Sequence, residues 1–129
     1  MANRYFNDKA NVIGGGRVCI MGSFAPNGAS AVDPTQTKGR GFTVARTGAG
    51  VFTISFDDIF VDFLAFDASV QLSAIADLKA QFGAFTVGTA TTKSTLVLNI
   101  LAVAVATDIA ANAQNRVHFR AWFRKSTAI

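Results

Sequence analysis

The stretch Val51-Phe52-Thr53-Ile54-Ser55-Phe56 alternates large apolar with mostly small polar side chains. A period of two is the repeat of a β-strand, whose successive side chains point to opposite faces. Phe52, Ile54 and Phe56 therefore share one face, and Thr53 and Ser55 the other. Just upstream, Phe42-Thr43-Val44-Ala45-Arg46 is joined to this run by Thr47-Gly48-Ala49-Gly50. Two strand-like runs around a glycine-bearing turn predict a hairpin. The same period places Val18 and Ile20 in an early strand, Val70 and Leu72 in a strand over 68–74, and Leu96, Leu98 and Ile100 in one over 95–103. A short strand is expected around Phe85 and Val87. In Arg116-Val117-His118-Phe119-Arg120-Ala121-Trp122-Phe123-Arg124, Val117, Phe119, Ala121 and Phe123 line one face. Helix-forming composition is confined to residues 74–82 and to a possible single turn over 108–113, too short to anchor a helical fold. Short strands spaced by turns predict an all-β protein, an antiparallel β-sandwich, jelly-roll-like, with little helix.

At 129 residues the chain has the length of one domain, and its 50% hydrophobic and 16% charged residues place it among core-forming sequences. Twelve of its fourteen aromatic residues are Phe, which fills a core but offers no polar tip. Residues 1–16 read as an N-terminal arm jointed at Gly14-Gly15-Gly16, followed by a single β-sandwich domain over 17–129. Residues 24–41, which hold both prolines, read as a long exposed loop. The polar start, Met1 to Asp8, lacks the apolar stretch of a signal peptide. The most apolar run, 96–111, is broken by Asn99 and Asp108, short of a membrane-crossing helix. No membrane partner is expected.

Charge is unevenly spread. Residues 1–46 carry six basic and two acidic groups, residues 47–115 two and six, and residues 116–129 four and none. Basic ends flanking an acidic middle can orient a protein on its neighbours. The second face of the last strand, with Arg116, His118, Arg120, Trp122 and Arg124, is cationic with one aromatic, a composition suited to protein interfaces and phosphate contacts. The acidic middle interrupts any continuous phosphate track, so no specific nucleic acid is expected.

Catalysis finds little support. His118 is the one histidine and sits between arginine-bearing positions, with no nucleophile or orienting acid in its pattern. Asp57, Asp58, Asp62 and Asp67 are separated by bulky apolar residues rather than by the close oxygen donors of a calcium loop. Gly14 to Gly16 lack the strand, helix and Lys-Ser or Lys-Thr of a phosphate loop. Cys19, the one cysteine, lies between Val18 and Ile20 and reads as a small, partly buried residue. No catalytic residue, metal ligand or cofactor is expected, and the chain is read as a non-enzyme. The protein-interface candidates are Arg4, Tyr5 and Phe6 in the arm, with Arg116, His118, Arg120, Trp122 and Arg124 on the last strand.

The stretch from Gly41 to Ile54 and the ending from Ala110 to Arg120 resemble small structural proteins of tailed bacteriophages. The resemblance covers residues from Gly41 onward and transfers no functional residue. It implies a virion component assembled in the host cytoplasm, best matched by a capsid decoration or cement protein that binds the outer shell and bridges major capsid subunits. It further implies self-association, with a trimer favoured over a dimer. A tail or head-to-tail connector component and a free β-sandwich ligand-binding module are the alternatives.

Overall fold

The computed structural model describes residues 11–13, 17–57, 60, 62–89 and 91–124. Through them run β1 (Asn11–Ile13), β2 (Arg17–Phe24), β3 (Lys38–Gly39), β4 (Phe42–Gly48), β5 (Val51–Phe56), β6 (Asp62–Gln71), β7 (Leu78–Thr86), β8 (Thr95–Ala102), β9 (Val105–Ala106) and β10 (Arg116–Arg124). They form two antiparallel sheets. The first has the order β1-β2-β10-β6 with β3 added on β2, and the second β4-β5-β8-β7 with β9 added on β8. The inward faces of the two sheets pack together, which makes the expected β-sandwich.

The strands with clean alternation fold as the sequence predicts. β4 and β5 pair as a hairpin, Val44 opposite Ile54, with Gly50 at φ 66 completing the turn. A Cβ on Gly50 would lie 2.4 Å from the Thr107 amide nitrogen, so the turn also needs a bare α-carbon. Phe52, Ile54, Phe56, Leu96, Leu98, Ile100, Val117, Phe119, Ala121 and Phe123 are all buried.

Four segments differ from expectation. The helical composition over 74–82 yields no helix: an exposed crossover leads into β7, whose backbone pairs with β8 from Leu78 onward. Burial of Leu78, Ala80 and Phe85 against the core outweighs a local helical preference too short to stand alone. Residues 108–113 also form no helical turn. The strand expected from residue 68 begins at Asp62, because β10 supplies it a ladder through to Arg124. Within the expected arm, residues 11–13 pair with β2 as an edge strand, while residues 1–10 and 14–16 lie outside the described residues. The 24–41 connection is a loop interrupted by a 3-10 turn over Pro34–Gln36, capped by Asp33, and by β3.

The core is aromatic, and Phe123 is its hub. Its ring stacks on Phe60 at 4.4 Å between centroids, meets Phe56 edge-on at 4.8 Å, and also touches Phe63 and Phe85. It thus ties β5, β6 and β7 to the strand that carries it. Phe24 packs on Phe52, and Phe42 edge-on against Phe119. Phe42 needs Gly22 beneath it, since a Cβ there would lie 2.2 Å from its ring.

Polar anchors fix the loops. The Arg46 guanidinium forks onto Asp108 with bonds of 3.0 and 2.8 Å, and Asp108 accepts the Gly50 amide at 2.8 Å. The Arg46 bonds first, and the Gly50 amide second, hold the Asp108 carboxyl below the usual carboxylate range. A depressed folded-state value means this stabilisation is present above the ordinary carboxylate range and is lost as the pH falls through Asp108's own value.

Phe123→Ala should cost about 3–5 kcal/mol in urea unfolding, whereas Met21→Ala, on a half-exposed side chain, should change it by about 0.5 kcal/mol or less. Asp108→Asn should melt below the wild type at pH 7. The gap should narrow through the acid range and close once Asp108 is protonated in both states; a gap independent of pH would exclude the carboxylate as its source.

Candidate functional site

The outer face of β10 gathers the residues that the alternation placed there, but their neighbours change its character. β10 lies between β2 and β6, so each cation meets a side chain from another strand. Arg120 pairs with Asp67, and Arg124 with Asp62 at 3.4 Å. Asp67 raises the already high pKa of Arg120 further, chiefly by hydrogen bonding. His118 Nε2 meets Gln71 Oε1 at 2.9 Å. Arg116 donates to Ser23 Oγ and, at 2.6 Å, to the Gln36 carbonyl, which straps the long loop to the sheet. Two of the three arginines are therefore ion-paired, and the third holds a loop. In the sequence, Asp62 and Asp67 are set aside as calcium ligands without being matched to the last strand; the alternation of Asp67, Ser69 and Gln71 with Phe66, Ala68 and Val70 is the available signal. Arg4, Tyr5 and Phe6 lie outside the described residues.

Trp122 crosses the small residues Cys19 and Ala65 on the flanking strands. Cys19 points to this outer face yet is buried. Burial pushes its thiol above the ordinary range, and the charge of Arg120 pulls weakly the other way. Among the described residues, no group of three His, Cys, Asp or Glu side chains could hold a metal ion, and no helix is long and apolar enough to cross a membrane.

Apart from Met21 on β2 and Val87 after β7, the large apolar side chains left in solvent lie in two places. One is the end of the sandwich where β6, β8 and β2 finish. There the 72–77 crossover exposes Ile75 completely, and the β8–β9 hairpin exposes Val103 (75%) and Val105 (67%). Loops 25–37 and 107–115 flank them, joined by the Gly28 amide donating to the Ile109 carbonyl at 2.9 Å, and expose alanines at 29, 31, 110, 111 and 113. Val103 opens the two-residue turn at φ 60. A β-branched residue at positive φ is strained, and hairpin turns place Gly there. The opposite end carries the Lys93–Asp57 and Arg124–Asp62 pairs beside the exposed Val87.

The second place is the side wall where edge strands β6 and β7 lie next to each other. Their core-facing residues Phe63, Phe66, Ala68, Val70, Ala80 and Phe85 are only half-buried, and Phe82 and Leu64 are exposed. A groove of about 480 Å³ runs between the strands, lined by Phe66, Ala68, Ala80 and Phe82 together with Asp67 and Gln81. Neither place was found from the sequence, since each is assembled from segments far apart in the chain.

A thiol reagent at pH 8 should label Cys19 only on the timescale of unfolding and at once in denaturant; prompt labelling of the native chain would show the outer face open at that point. Comparison with protein-family models, with curated proteins and with solved structures finds no match to the chain.

Proposed function

We propose that the chain is a non-enzymatic structural protein that works by packing against other proteins. Its resemblance to tailed-phage structural proteins gives this role a specific form: a capsid decoration protein on the virion surface, bridging major capsid subunits. The observation that carries the packing role is the apolar end built around Ile75, Val103 and Val105. Exposed apolar side chains gathered at one place mark contact sites more often than scattered ones do. Val103 strengthens the reading, because its backbone conformation favours Gly. A valine kept there sacrifices local stability and retains an apolar projection. The work of such a protein is mechanical: each contact binds only the assembled partner, so it stabilises the assembly by mass action. Ion pairing on the β10 face leaves apolar burial as the main source of affinity and charge as an aid to orientation.

Purified particles should contain the chain in stoichiometric copies, with density on the outer shell in reconstructions; its absence from particles would overturn the virion role. Val103→Gly separates contact from folding. It should leave the unfolding midpoint equal to or above that of the wild type while weakening particle binding several-fold. Unchanged binding by Val103→Gly together with Ile75→Ser would remove the apolar end from the mechanism.

A further inference from the structure

The two loops that flank the apolar end hold a chemical feature that a packing role leaves unused. Asn27 is followed by Gly28, and none of the other six asparagines precedes a glycine. The turn itself demands this pair. The Ser30 amide donates to the Asn27 carbonyl at 3.0 Å, and Gly28 takes the second position of the turn at φ 58. A positive φ there favours glycine, and Asn is a preferred first residue of a β-turn. No atom lies within 4 Å of where a Gly28 Cβ would stand, so conformation rather than crowding selects the glycine.

Asparagine is among the thermolabile residues, and before glycine it is the least protected, because glycine has no Cβ to screen its own nitrogen. The reaction needs only water and hydroxide. Hydroxide removes the Gly28 amide proton, and the nitrogen attacks Cγ of Asn27. An imide ring forms as the Cγ–Nδ2 bond breaks, and ammonia leaves after taking a proton from water, which restores the hydroxide. Water then opens the ring at either carbonyl and leaves aspartate or isoaspartate at position 27. Nothing is oxidised or reduced.

The fold opposes this reaction at both reacting groups. The Gly28 amide donates to the Ile109 carbonyl at 2.9 Å, across to loop 107–115. A hydrogen bond made by the neutral amide disfavours loss of its proton. Asn27 Nδ2 donates to the Ala31 carbonyl at 3.2 Å, which holds the side chain in one orientation. Both sides of the latch are anchored. Pro26 and Ile109 are buried, and Asp108, next to Ile109, is bound by Arg46 and the Gly50 amide.

We infer that Asn27–Gly28 is a latent self-modification site, kept closed by the Gly28–Ile109 hydrogen bond and converted to aspartate or isoaspartate when loops 25–37 and 107–115 part. Conversion prevents the latch from closing again. A carboxylate at position 27 has no proton to give the Ala31 carbonyl, and isoaspartate lengthens the main chain by one carbon just before the Gly28 amide. A molecule that has opened at its apolar end therefore carries a permanent mark there. The site needs no partner and does not depend on the virion role.

The folded chain and the guanidinium-unfolded chain are to be incubated in otherwise identical, mildly alkaline buffer and compared by peptide mapping with mass spectrometry. In the unfolded chain, position 27 should convert ahead of the other asparagines. In the folded chain it should convert at least about tenfold more slowly, in step with hydrogen exchange at the Gly28 amide. Asp108→Ala, which frees loop 107–115 from Arg46 and Gly50, should speed conversion at position 27 several-fold while Asn99 on β8 stays intact. Equal rates in the folded and unfolded chains, or slow conversion in both, would overturn the site. Conversion that ignores Asp108→Ala, or that runs independently of Gly28 exchange, would overturn the latch. The exchange comparison on the wild type decides this even where the variant does not fold.

Discussion

The contact on which the rest of the structure depends is the seating of the Phe123 ring among Phe56, Phe60, Phe63 and Phe85. Those rings come from both sheets and from Phe60 between β5 and β6, so one side chain joins layers that share no strand pairing among the described residues. Aromatic pairs gain from offset and edge-on geometry beyond their buried area. β10, which carries Phe123, is also the strand through which β2 and β6 are held in one sheet. The fold therefore relies most heavily on its last described strand.

Loops around this core are fixed by a few buried polar groups. The Ser94 hydroxyl accepts the amides of Phe60 and Gly88, and its carbonyl accepts that of Phe56, which ties Phe60, Gly88 and the end of β5 to one residue. Asn115 accepts the Ser73 amide and donates to the Ala110 carbonyl, which fixes the crossover near Ile75 against loop 107–115. Asp108 does the same for the β4–β5 hairpin. Buried polar groups must find partners or cost stability, so Ser94 and Asn115, with the half-buried Asp108, anchor these loops. The apolar side chains at that end are thereby presented by a firm frame. A contact surface held this way loses little entropy on binding.

The burial gradient across the sandwich connects fold and function. Phenylalanines on β2, β5 and β10 are fully enclosed, those on β6 and β7 partly, with Phe82 the most exposed of them at 43%. A sandwich with complete edges would enclose them all. The incomplete side is the side where β6 has no outer neighbour among the described residues.

The sequence by itself determined which face of β2, β5, β8 and β10 would be buried, because alternation is a local property and both sheets bury one face of these strands. It also placed Arg116, His118, Arg120, Trp122 and Arg124 together, for the same reason. Alternation marked only the end of β6 and the Phe85 part of β7, because the register shifts at Phe63–Ala65 and between Phe82 and Phe85 break the period of two along the rest. Only the tertiary structure decided that β10 would lie beside β6, setting Asp62 and Asp67 against Arg124 and Arg120, and that Ile75, Val103 and Val105 would meet at one end. Strand partners are chosen by loop closure and by the fit of whole faces, and neither is written in the spacing of neighbouring residues.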